Sequence, residues 1–210
     1  MSLIARSTGA KDFQKVSQGN HIARCVRVVD FGTQVYTYNN ETKSALKVQI
    51  SFEIPGERIE INGEDLPSML SYEATNSLHE NSNLRPMLES WRGRNFTTEE
   101  LEGFELKKLL GVSAMITVMH VENKKGKVFA KIVAIADAKI GGKKVDCPPQ
   151  ESPFIFYEIE QGIHGAAYEG LPKWIQDKIC KAKELNGHDD APVATDEVAS
   201  EAKDGSDLPF

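Results

Sequence analysis

The sequence predicts a mainly β protein: a five-stranded Greek-key barrel with a helix between strands three and four, then a C-terminal helix and a disordered acidic tail. Three observations carry this reading. Leu46, Val48, Ile50, Phe52 and Ile54 alternate with polar residues, the period of a half-buried strand. Leu84, Met87, Leu88 and Trp91 instead recur at helical spacing, which marks one buried stripe. The net charge of −6 sits entirely in residues 186–210, where seven Asp and Glu face a single lysine, a composition too polar to bury a core.

Residues 1–19 are polar, with Arg6, Lys11 and Lys15, and read as a basic N-terminal arm. The barrel domain is expected over 20–136. Its first strand is carried by Ile22, Ala23, Cys25, Val26, Val28 and Val29. Arg24 and Arg27 are three apart, so a bulge is needed to bring both to one face. Residues 34–40 read as a polar loop holding Tyr36 and Tyr38. The alternating run over 46–54 is stopped by Pro55-Gly56; a short piece at 58–61, the tight turn Asn62-Gly63 and a third strand over 69–76 follow.

Ser82 or Asn83 can cap the start of this helix, Pro86 fits its first turn, and Gly93 ends it. Thr97-Thr98-Glu99-Glu100 supplies a capping box for a second, short helix. Val112, Ala114, Ile116 and Val118 alternate, and a partner strand over 127–136 follows a turn at 123–126, so these two form a hairpin. Strand, strand, strand, helix, strand, strand is the order of the OB-fold. Residues 137–185 read as a connector, an apolar segment at 154–157 expected to pack back on the barrel, and a helix from Pro172, also packed on the barrel, with Leu171, Trp174, Ile175, Ile179 and Ala182 on one stripe.

Single strands are held by cations along the phosphates and aromatic faces under the bases. An OB barrel places that site on strands two and three and in the loops after strands one and four. Tyr36, Tyr38, Lys43, Lys47, Tyr72, Lys125, Lys127, Phe129 and Lys131 fall there, with Arg24 and Arg27 on strand one. Arg92 and Arg94 flank the glycine that ends the helix and are further phosphate candidates. Asp207, Leu208, Pro209 and Phe210 form an apolar tip on an acidic tail, suited to a partner offering an apolar pocket and cations.

That tip resembles the C-terminal end of bacterial single-stranded DNA-binding proteins, with Leu208 where isoleucine is usual. The stretch Ser90-Trp91-Arg92-Gly93-Arg94-Asn95-Phe96, the opening Ser2-Leu3-Ile4-Ala5-Arg6-Ser7-Thr8-Gly9 and the strand Arg24-Cys25-Val26-Arg27-Val28-Val29-Asp30 are similar to phage-encoded single-stranded DNA-binding proteins of OB-fold type. The resemblance implies a protein that coats single-stranded DNA without sequence preference in replication or recombination. It also implies recruitment of replication or recombination proteins through the tip, in the host cytoplasm. The reading from a different class is an OB-fold interaction adaptor or a DNA-mimic inhibitor.

Catalysis, cofactors and metals are not expected. The five histidines are scattered without HExxH spacing, and Gly141-Gly142-Lys143-Lys144 lacks the Ser/Thr of a phosphate-binding loop. Three distant cysteines without a CxxC indicate neither a disulfide framework nor zinc. No apolar run approaches a membrane span, and no signal peptide is read at the start. Edge strands of an incomplete barrel are compatible with a homodimer.

Overall fold

A computed structural model of the chain describes residues 15–123 and 126–186. Three long strands come first, β1 (Gly19–Tyr38), β2 (Glu41–Ile61) and β3 (Glu64–Thr75), paired antiparallel in succession. Two helices, α1 (Leu84–Arg92) and α2 (Thr98–Glu102), precede the antiparallel pair β4 (Ser113–Glu122) and β5 (Val128–Asp137). A small hairpin of β6 (Lys139–Ile140) and β7 (Lys143–Lys144) leads to β8 (Ile155–Tyr157) and the short helices α3 (Ala166–Glu169), α4 (Lys173–Ile179) and α5 (Lys183–Asn186).

The main sheet runs β3-β2-β1-β4-β5, so the protein is mainly β. Among the described residues no ladder joins β3 to β5, and the expected closed barrel is an open sheet. Where the two edges face each other, β3 carries Pro67, which has no N–H to give a ladder. The outer edge of β1 is shared: β4 takes Gly19 to Arg24, and β8 runs parallel beside residues 27–29.

Several sequence expectations are corrected. Residues 34–40 are not a loop: β1 and β2 continue as a hairpin to Tyr38 and Glu41, around Asn39 and Asn40 at φ 49° and 63°. Asparagine tolerates this left-handed backbone, so the turn forms without the glycine that usually announces it. Pro55-Gly56 does not stop β2, because a register shift between Ile54 and Arg58 absorbs it. The C-terminal helix is broken after Ile179 into α4 and α5. The bulge required by the two arginines is present: a shift between Cys25 and Arg27 sets Arg24 opposite Glu53 and Arg27 opposite Ser51, on one face.

Val48, Ile50, Phe52 and Ile54 of β2 point into the main core, where they meet Ile116, Ile132 and Ile135, and α1 seals one end with Leu84, Leu88 and Trp91. The opposite face is also covered. Val29 and Phe31 pack against Tyr157, Tyr168, Leu171, Ile175 and Ile179. Each such side chain contributes about 1.5–3 kcal/mol on burial, so the C-terminal segment is a second layer. Its edge is pinned by Glu53, fully buried, whose carboxylate accepts the backbone N–H groups of Glu151 and Ser152 at 2.8 Å each. No helix among the described residues is long and apolar enough to cross a membrane.

Candidate nucleic-acid interface

The gap between β3 and the start of β5 is a cleft of about 1060 Å3. Of the residues expected to touch nucleic acid, Arg27, Lys127 and Phe129 line it. Lys15 joins them from the segment before β1, and Trp174 from α4. Phe129 is 40% exposed and Trp174 56% exposed. Both rings therefore present free area to whatever enters, with exposed Lys127 near them.

Arg27 is only 7% exposed. Its Nη2 donates to the Met69 thioether, a weak acceptor, and its buried Nε has no hydrogen-bond partner. Burial pulls its pKa below the ordinary arginine value. The register explains the position: Arg27, Ser51 and Ser71 lie in one row across β1, β2 and β3, with the two serine hydroxyls 2.9 Å apart. An uncompensated guanidinium in an apolar setting is costly, and the cleft is where an acceptor would reach it.

Tyr36, Tyr38, Lys43 and Lys47 form a separate cluster on the β1–β2 hairpin. Lys47 Nζ stands 5.4 Å from the centre of the Tyr36 ring, and Lys43 Nζ 5.1 Å from that of Tyr38. Lys43 also pairs with Glu41 at 3.5 Å, and Lys47 donates to Thr75 Oγ1 at 3.2 Å. Burial lowers the Lys47 pKa, against the opposing pull of Glu73. Cross-strand pairing puts Tyr36 opposite Lys43 and so on the same face as Arg27. Tyr36 is nine residues beyond Arg27 in β1, about 30 Å of extended strand.

The remaining candidates have other surroundings. Arg24 donates to the carbonyl oxygens of Gly111 at 2.6 Å, Pro148 at 3.2 Å and Cys147, and pairs with Asp146 at 3.3 Å. Arg92 is laid over Phe96 and Phe104, 4.3 and 5.1 Å from the ring centres, and pairs with Glu100. Arg94 pairs with the same carboxylate at 2.7 Å but keeps about half its side chain exposed. The two arginines and the Thr97 N–H hold Glu100 down to about 2. Tyr72 packs against the main core, and burial raises its pKa. Lys131 lies half-buried on β5. Lys125 and the tip residues Asp207, Leu208, Pro209 and Phe210 fall outside the described residues.

Sequence reasoning missed Trp174 by assigning it to the buried stripe of its helix. Leu171, Ile175 and Ile179, spaced by four, are the residues that bury there. Trp174 is turned about 100° away from Ile175. Its place beside Lys173 in the first turn was the available signal. In comparison with known proteins, the chain matches no family model and no curated protein.

Proposed function

We propose that this chain binds single-stranded DNA in the cleft between β3 and β5. On this reading the sheet is of the OB type, with β1 pairing both β2 and β4 and α1 sealing one end of the core, an arrangement that supports the assignment. The observation that carries the proposal is the joint lining of one cleft by cations, Lys15, Arg27 and Lys127, and exposed aromatic rings, Phe129 and Trp174. Cations answer phosphates and ring faces answer bases, without need of a fixed sequence along the strand. The hairpin tyrosines offer a second stacking surface. The acidic tail recruits replication or recombination proteins through Asp207, Leu208, Pro209 and Phe210, a role supported by its charge and apolar end.

Tryptophan emission tests the proposal directly. The chain has two tryptophans; Trp91 is 3% exposed in the core, and Trp174 stands in the cleft. Adding oligo-dT at low salt is expected to quench Trp174, and Trp174→Phe should abolish the change. Affinity should fall with salt, with a log–log slope of about −0.7 per phosphate contacted. Absence of both quenching and a gel shift at low salt would overturn the proposal. An acidic DNA mimic has no use for three cations lining one cleft, which weighs against that alternative.

A further inference from the structure

The cleft holds its cations at two depths. Lys127 is exposed at the rim, whereas the Arg27 guanidinium is nine-tenths buried at the floor. Apolar residues such as Ile59, Leu66 and Val128 lie among them. A strand that stacks bases on Phe129 and Trp174 carries its phosphates outward, where water and the lysines are. It also sends base edges inward. The donor it would meet there is Arg27, whose Nε lacks a partner and whose Nη2 rests on a sulfur that a stronger acceptor would displace.

We propose that Arg27 reads the edge of one inserted base and not a phosphate, so that guanine or cytosine is preferred over adenine and thymine at one position of an otherwise indifferent footprint. The inference rests on single-strand binding in the cleft. Its chemistry is that of the guanidinium fork, two parallel N–H donors. Guanine offers two adjacent acceptors, O6 and N7, to such a fork, and unpaired cytosine offers N3 and O2. Adenine and thymine alternate donor with acceptor along the edge and satisfy only one arm. The Ser71 hydroxyl, in the same row and also lining the cleft, is placed to complete the contact.

The test compares oligo-dT of about 15 nucleotides, a length suited to one such site, with the same oligomer carrying one central guanine or one 7-deazaguanine. Full-length protein is expected to bind the guanine oligomer roughly tenfold more tightly than oligo-dT. Loss of N7 should return it to the oligo-dT value, a comparison that needs no variant. Arg27→Lys keeps the charge and loses the fork, so it should bind guanine and thymine oligomers alike. Equal binding of the two oligomers by the unaltered protein overturns base reading and leaves single-strand binding standing. So does a drop of about 0.7 in the salt slope of Arg27→Met, which would make Arg27 a phosphate contact. Failure to bind any oligomer overturns both.

Discussion

Trp91 Nε1 donates to the carbonyl oxygen of Ser113 at 2.8 Å, tying α1 to the first residue of β4. The indole also packs against Phe52 of β2, with ring centres 5.1 Å apart, so one side chain joins α1, β2 and β4. Trp91→Phe keeps most of the packing and strands a buried carbonyl. It is expected to cost about 1–3 kcal/mol, read as a lower urea midpoint with unchanged slope. Oligonucleotide quenching should persist in this variant, since Trp174 alone then emits.

Glu53 anchors the second layer through two backbone N–H groups. Glu53→Gln offers one oxygen where the carboxylate offered two and turns an amide donor toward the other N–H. A loss of about 2–4 kcal/mol is expected, since two charge-assisted bonds are disturbed. Hydrogen exchange at the amides of Glu151 and Ser152 should accelerate before that of the central strands. Unchanged exchange there would contradict an anchoring role.

The Glu100 carboxyl, depressed to about 2, makes an acid-dependent contribution. A depressed carboxylate stabilises the folded state fully above its unfolded value, near 4.3, and loses that contribution as pH falls through the folded value. The melting temperature of the parent should therefore exceed that of Glu100→Gln above about pH 5. The two curves should converge as pH approaches 2.

Asn39 and Asn40 both hold positive φ at the hairpin tip. Asn40→Gly is expected to raise stability slightly, because glycine adopts this backbone freely. Asn40→Val should lower it by about 1–2 kcal/mol. Thermal melts of the two variants on either side of the parent would establish the turn as a design constraint of the hairpin.

Tyr36→Ala combined with Tyr38→Ala should leave the melting temperature nearly unchanged, since neither ring lies in either core. Each ring that stacks a base contributes about 1–3 kcal/mol to binding. The loss is expected only with oligonucleotides long enough to span cleft and hairpin, measured by titrating a length series against parent and variant.

Much of the main core was legible because one face of β2 is apolar and the helical stripe of α1 has a single buried side. The apolar segment at 154–157 and the stripe of the C-terminal helix pointed to packing on the barrel, but nothing in the sequence pointed to the polar strand face buried beside them. Gln49, Ser51 and Glu53 are the polar alternate positions of a strand expected to be half-buried, yet they are 3%, 0% and 0% exposed. Polar residues become burial-compatible when backbone groups satisfy them, as Glu53 shows, and side-chain periodicity carries no record of backbone donors. The same limit applies to Arg24, whose carbonyl partners come from 87 to 124 residues away. Arg27 and Phe129 were legible as candidates by their type and strand. Their meeting with Trp174 depends on a gap in the sheet, which the strand pattern does not encode.

β1 is made first and closed late. The stretch of its edge at residues 27–29 receives a neighbour only when β8, at Ile155–Tyr157, has been synthesised. At ordinary elongation rates the nascent chain carries that open edge for on the order of 10 s. A chain stopped before residue 155 would carry its central strand with that edge exposed to other chains, so β8 is what shields the newborn sheet from its neighbours.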